Sequence, residues 1–195
     1  MLPELLKDHR LILGSASPRR KELLEQMGLN FELIPLHVDE VFPKSMKAEA
    51  IAKYLSKLKA DSYADRLKEK ELLITADTIV WHEGRLLEKP ESTEAAHQML
   101  ASLSDDWHEV ITAVCCTTTL DQRCKHETTL VKFRKLTDRE IAYYVDTFQP
   151  FDKAGGYGIQ EWIGLVGIEE ISGSYTNVVG LPTARLYQLL RAMVS

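Results

Sequence analysis

Leu11-Ile12-Leu13 runs directly into Gly14-Ser15-Ala16-Ser17-Pro18. A short apolar run closed by glycine reads as a buried strand entering a tight turn. Ser17 suits an N-cap, and Pro18 suits the first helical position, where its missing N–H is not needed. Gly28 then stops a helix predicted over Pro18 to Met27, with Leu23, Leu24 and Met27 on its apolar face. A strand that hands over to a packed helix within five residues is the building unit of an α/β fold.

The rest of the chain keeps alternating. Phe31 to Val38 reads as the next strand, and Ser45 opens a long helix with Ile51, Tyr54, Leu55 and Leu58 at helical spacing. Leu72 to Ala76 is an apolar strand ending at Asp77. Thr78 to Trp81 and Arg85 to Leu87 flank Glu83-Gly84 as a hairpin. Thr93 to Leu103 is helical, and Val110 to Thr119 with Lys125 to Phe133 form a second hairpin around Asp121-Gln122. Thr137-Asp138-Arg139-Glu140 has capping-box spacing and starts a helix through Val145. Asp152 to Ile171 is a glycine-rich loop leading into a strand, and Pro182 begins a final helix. With 195 residues and no repeat or linker, the chain is long enough for one domain or two tightly joined lobes.

Charge narrows the partners. A formal net charge of −5 argues against general nucleic-acid binding, which needs an excess of Lys and Arg to displace counterions. No stretch approaches the roughly 20 apolar residues of a membrane helix, and Met1 to Arg10 lacks a signal-peptide core, so a cytoplasmic protein is expected. Cys115 and Cys116 would point to opposite faces of a strand, so buried, reduced thiols are expected of all three cysteines. Oligomeric state is not readable; a homodimer is left open.

Chemistry concentrates in a few segments. The helix beginning at Pro18 offers free N–H groups and a positive dipole end, and Arg19 and Arg20 in its first turn add guanidinium forks that match phosphate oxygens. Ser15 and Ser17 add hydroxyls; an ordinary capped helix with exposed arginines is the competing reading. Asp77 could bind Mg²⁺ or take a proton from water, and Asp39 or Glu40 could supply a second carboxylate. Lys59, Lys89 and Lys153 are the remaining cations of interest. In Asp152-Lys153-Ala154-Gly155-Gly156-Tyr157-Gly158-Ile159-Gln160 the glycines permit close backbone approach, and Gln160 can pair with a base edge. No zinc-protease, Cys-x-x-Cys or Gly-x-Ser-x-Gly motif occurs.

Taken together, Ser15 through Arg20, Lys59-Ala60, Ala76-Asp77-Thr78-Ile79-Val80, Leu87-Glu88-Lys89-Pro90, Asp152 through Gln160, and Gly173-Ser174-Tyr175 through Gly180-Leu181-Pro182 resemble the Maf family of nucleotide pyrophosphatases. The resemblance covers residues 11 to 182. It implies one domain over residues 1–195, with a mixed sheet, flanking helices and two lobes around a central cleft, similar to the inosine triphosphate pyrophosphatases. It also implies attack of water on the α-phosphorus of a nucleoside triphosphate, with release of pyrophosphate and dependence on a divalent cation (Mg²⁺, Mn²⁺ or Co²⁺). By the same resemblance Asp77 is the proton acceptor, Glu40 and Asp77 hold the metal, and Lys59 joins them as catalytic. Ser15, Arg19, Arg20, Lys59, Lys89 and Lys153 hold the substrate, and Arg19, Thr78 and Gln160 fall on positions linked to substrate choice. Ser-Pro-Arg-Arg-Lys with Gly-Ile-Gln looks like the branch acting on dTTP and UTP, a house-cleaning activity. The alternatives are a 7-methyl-GTP pyrophosphatase and a nucleotide-binding regulator of cell division. Five cations, Arg19, Arg20, Lys59, Lys89 and Lys153, plus a metal would then overcome the repulsion between an acidic chain and a triphosphate.

Overall fold

The computed structural model describes residues 2–194. Its elements, in chain order, are α1 (Leu2–Leu5), β1 (Arg10–Leu13), α2 (Pro18–Gln26), β2 (Phe31–Leu33), α3 (Glu49–Ala64), β3 (Glu71–His82), β4 (Arg85–Leu87), α4 (Thr93–Leu103) and β5 (Trp107–Thr117). There follow β6 (Gln122–Phe133), α5 (Asp138–Phe148), a 3-10 turn (Ala154–Gly156), α6 (Trp162–Gly167), β7 (Ile168–Ser172), α7 (Tyr175–Val179) and α8 (Thr183–Val194). The strands form one mixed sheet in the order β2-β1-β3-β5-β6-β7, with β4 also paired to β3. β1 lies parallel to β2 and β3, while along β3-β5-β6-β7 each neighbouring pair is antiparallel.

Period-two alternation along β3 decides which helices cover which face. Leu72, Ile74 and Ala76 pack against Leu23 and Leu24 of α2 and Leu186, Leu189 and Leu190 of α8. Further along the same face, Val80 joins Ala96, Leu100 and Leu103 of α4 and Ile141, Tyr144 and Val145 of α5. The intervening residues Leu73 and Ile79 face α3, which contributes Ile51, Ala52, Leu55 and Ala60. One helix thus covers one face, and two helix pairs divide the other.

Between those pairs the sheet has an opening. β1 pairs with β3 only from Glu71 to Ile74, and β4 takes up the same edge only from Val80 to His82. Residues 75–79 of β3 therefore have β5 on one side and no strand on the other.

Four of the differences from the sequence reading bear on the cleft. β2 stops at Leu33 rather than Val38, because Ile34 donates to the carbonyl of Leu13 and Pro35 has no N–H to extend a ladder. α3 begins at Glu49 rather than Ser45, since Ala48 takes a left-handed φ of 44° that interrupts the helical run. The strand expected to end at Asp77 continues to His82; Asp77 and Thr78 pair with Ala113 and Thr112 of β5, so the polar pair marks the middle of the strand. The expected loop after Asp152 contains a 3-10 turn and α6, and the expected strand follows as β7.

The cysteine expectation also needs correcting. Cys115 and Cys124 form a disulfide, with Cα atoms 4.1 Å apart, because the β5–β6 register places them directly opposite one another. Only Cys116 is a free, buried thiol, and burial pushes its pKa up. Comparing neighbours along one strand could not find a partner that the hairpin brings across from the next. Among the described residues, no helix is long and apolar enough to cross a membrane.

Candidate active site

The opening beside residues 75–79 of β3 is the floor of a cleft of about 630 Å³. Asp77 and Thr78 occupy successive positions there and so point to opposite faces of the sheet. Asp77 lies on the α3 side and is only 6% exposed. One turn after the core residue Leu55, α3 brings in Lys59, whose Nζ is 2.5 Å from Asp77 Oδ1 and 2.8 Å from Glu40 Oε1. One ammonium therefore bridges two carboxylates. Burial raises the pKa of Asp77, opposed by the charges of Lys59 and Arg20. Glu40, half exposed, moves the other way: desolvation pushes it up, but the hydrogen bond from Lys59 and the charges of Lys59, Lys89 and Arg20 bring it below its ordinary value.

The first turn of α2 forms the next wall. Ser17 caps the helix by accepting from the backbone N–H of Arg20, and Ser15 Oγ accepts from the N–H of Ser17. Arg20 is held by three acceptors: its Nε donates to the carbonyl of Gly180 (2.9 Å), Nη1 to Ser15 Oγ (3.2 Å) and Nη2 to Thr78 Oγ1 (3.1 Å). Burial pulls this guanidinium below its ordinary pKa, and nearby Asp77 works against that shift. Arg19 reaches across the cleft to Asp152, Nη1 to Oδ2, at 3.1 Å.

Asp152 opens the opposite wall. It also accepts from Lys153 Nζ at 2.6 Å, and that buried ammonium sits 3.1 Å from Glu161. Glu161 in turn accepts from the Tyr144 hydroxyl, and Tyr144 accepts the N–H of Gly158. Gly155 shows why glycine stands here: its φ is +72°, and a Cβ would lie 2.8 Å from a methyl carbon of Val80. Gln160 is exposed at the end of this wall, and Lys89 is exposed beyond β4 without a hydrogen bond or ion pair among the described residues.

All ten site residues expected from the sequence (Ser15, Arg19, Arg20, Glu40, Lys59, Asp77, Thr78, Lys89, Lys153 and Gln160) line this one cleft. Glu40 lines it and Asp39 does not. Arg19, Arg20, Lys59, Lys89 and Lys153 do converge, but Glu40, Asp77, Glu88, Glu91 and Asp152 line the same space, so its formal charge is zero.

Sequence reasoning missed three supporting residues. Asp152 pairs with cations from both walls. Thr112 and Asn177, both fully buried, lie behind Thr78 and left no signal except polarity inside apolar segments. A different cluster, His82, Glu83 and Asp106, brings three ligating atoms within 4.8 Å of one another. None of the three lines the cleft. Asp106 is already engaged by His82 Nε2–H and the Trp107 N–H.

A family model described as "Maf-like protein" matches residues 10–193. The chain is 46% identical over 194 residues to a protein named dTTP/UTP pyrophosphatase from Flavobacterium johnsoniae, with all of both chains covered. It is 49% identical over 195 residues to one of the same name from Christiangramia forsetii, again over the full length of both. The Bacteroides fragilis protein of that name is 50% identical over 189 residues, covering 96% of this chain and 98% of the relative. Among solved structures, a nucleoside-triphosphatase (dITP/XTP pyrophosphatase) from Mycobacterium abscessus matches with a TM-score of 0.43 at 12% identity, covering 94% of this chain and 96% of that one.

Proposed function

The chain belongs to the Maf-like protein family, and from that premise we propose that it hydrolyses dTTP and UTP to the nucleoside monophosphate and pyrophosphate. One observation carries this reading: Asp77, Lys59 and Glu40 stand in contact on the open edge of β3, inside a cleft whose adjoining wall is a helix N-terminus bearing two arginines. Cleaving a phosphoanhydride asks a protein mostly to position the groups and neutralise charge, with a base to accept a proton from water. Asp77 is that base. Its raised pKa makes it a stronger proton acceptor than an exposed carboxylate, and Lys59 keeps it ionised and fixes its orientation.

The donor set also fits a divalent cation such as Mg²⁺, Mn²⁺ or Co²⁺. Lys59 demonstrates that a single cation can touch both Glu40 and Asp77, and hard cations are commonly held by one or two carboxylates together with phosphate oxygens. When bound, such an ion supplies positive charge against the phosphates and lowers the pKa of a water molecule. The protein's own groups do the rest. The α2 N-terminus, Arg19, Arg20 and Lys89 hold phosphate oxygens, and Gln160 offers an amide able to pair with the N3–H and a flanking carbonyl of uracil or thymine. Strands β3, β5 and β6 run through both ends of the sheet, so the two sides of the cleft act as lobes of one functional unit.

The test is a panel of dTTP, UTP, CTP and 7-methyl-GTP with divalent metal present and the products identified. Pyrophosphate released from dTTP and UTP is expected. Orthophosphate as the only product, or a preference for 7-methyl-GTP, contradicts the reading.

A further inference from the structure

We infer that Thr112 and Asn177, which lie outside the cleft, are positioning residues that aim Arg20 at the substrate; this rests on the reading of the cleft as a triphosphate site. Both are fully buried. The Asn177 amide ties α7 to two strands: Oδ1 accepts the Thr112 N–H, and Nδ2 donates to the Val110 carbonyl and to Thr129 Oγ1, each at 2.9–3.2 Å. With α7 anchored in this way, its capping residue Gly180 presents a carbonyl to Arg20 Nε at 2.9 Å.

A second route reaches the same guanidinium, and its direction is fixed by counting protons. Thr112 Oγ1 lies 2.9 Å from the Asn177 backbone carbonyl, which can only accept, so the single hydroxyl proton of Thr112 is used there. In its 3.0 Å contact with Thr78, Thr112 must then be the acceptor and Thr78 the donor. Thr78 has no second proton and therefore meets Arg20 Nη2 as an acceptor. The chain runs one way, from Arg20 through Thr78 and Thr112 to the carbonyl of Asn177.

Arg20 has five N–H groups, and the carbonyl of Gly180, Ser15 and Thr78 take three of them. Two remain for a ligand in the cleft that Arg20 lines. Held from three sides, the fork is ordered before the anion arrives, which lowers the entropy lost on binding. Thr78 itself has no hydroxyl proton left to give a substrate, so its contribution to the site passes through Arg20.

The experiment compares the parent with Thr112→Val and Thr112→Ser, measuring kcat and KM for dTTP separately, the affinity for inorganic pyrophosphate in the presence of Mg²⁺, and the melting temperature. Thr112→Val is expected to raise KM and weaken pyrophosphate binding roughly tenfold, about the size of one lost hydrogen bond, with a smaller change in kcat. Thr112→Ser, which keeps the hydroxyl, should restore both. Should Thr112→Val not fold, Thr78→Val removes the acceptor that Thr112 orients for Arg20 and carries the same expectation, with Thr78→Ser as its rescue. Parent-like KM and pyrophosphate affinity in the valine variants overturns the inference, as does a parent that binds no pyrophosphate. A parent that binds pyrophosphate but turns over neither dTTP nor UTP defeats the functional reading instead, and the binding comparison still decides this one.

Discussion

Lys59 Nζ lies 2.5 Å from Asp77 Oδ1, joining the middle of α3 to the stretch of β3 left open between β1 and β4. The ion pair has two jobs that pull in different directions. It keeps a buried carboxylate charged, and by doing so it limits how basic that carboxylate becomes.

Replacing Asp77 by Asn removes the proton acceptor while preserving size and hydrogen-bonding capacity. At saturating dTTP and divalent metal, turnover should fall by about 10²–10⁴-fold, the usual contribution of a positioned general base. Steady-state kinetics with a melting curve as control checks this. Parent-like kcat in Asp77→Asn eliminates Asp77 as the base.

The pH profile follows from the direction of the Asp77 shift. A base must be deprotonated to act, so kcat rises with pH through the pKa of Asp77, and burial places that limb above the ordinary carboxylate range. Lys59 lowers this pKa, by charge and by hydrogen bond. In Lys59→Met the acidic limb should therefore move to higher pH, with the greatest loss of activity on the acidic side. A limb that moves to lower pH, or stays in place, contradicts the assignment.

Asp152 competes with substrate for Arg19. Its carboxylate is 60% exposed, so the ion pair is largely screened and Asp152→Asn should change stability by less than about 1 kcal/mol. Removing that charge still frees Arg19 and makes the cleft lining net positive, while Lys153 keeps Glu161 as a partner. KM for the triphosphate should drop at low salt, and the gain should shrink as ionic strength approaches 0.15 M, where the screening length is about 8 Å. An unchanged KM at low salt would remove Asp152 from the account of binding.

The disulfide makes a separate prediction. Denatured, unreduced protein should titrate one thiol, from Cys116, and reduced protein three. Closing so short a loop restricts the unfolded chain by about 2.5 kcal/mol on the loop-entropy scale, so reduction should lower unfolding stability by roughly that amount. Three thiols without reductant would return all the cysteines to the reduced state expected from sequence.

What the sequence revealed and what it hid divide along physical lines. Signals confined to a few neighbouring residues were readable: the Ser17 cap with Pro18, the Thr137–Glu140 capping box, the turn at Glu83-Gly84. Convergence of the ten cleft residues was readable only as an ordered set of segments, since each of Lys59, Lys89 and Lys153 is ordinary by itself. Relationships made by register stayed hidden. The Cys115–Cys124 pairing and the position of Asp77 in mid-strand depend on which residue of β5 or β6 stands opposite, and no local pattern states that. The compensating acids stayed hidden because Glu88, Glu91 and Asp152 sit beside motif cations, and adjacency in sequence does not reveal that they line the same space.

Zero formal charge in the cleft leads to the last prediction. A nucleoside triphosphate carries several negative charges, the chain as a whole is at −5, and the five cations of the lining are matched by five carboxylates. Lys59 cannot be diverted to the phosphates without exposing Asp77 and Glu40 to each other, since it is the ammonium between them. Arg19 and Lys153 are similarly engaged by Asp152, which leaves Lys89, two N–H groups of Arg20 and the α2 N-terminus as the uncommitted donors. That set is short of the charge required, and a divalent cation held by Glu40 and Asp77 would supply the difference. Chelation should therefore raise KM as well as depress kcat, and Mg²⁺, Mn²⁺ or Co²⁺ should restore both. Glu40→Gln should shift the metal dependence to higher concentration, because it removes one oxygen ligand charge while leaving the base in place. Turnover that survives exhaustive chelation with an unchanged KM would show that the side chains bind the triphosphate unaided, and the charge balance drawn from the cleft would then be wrong.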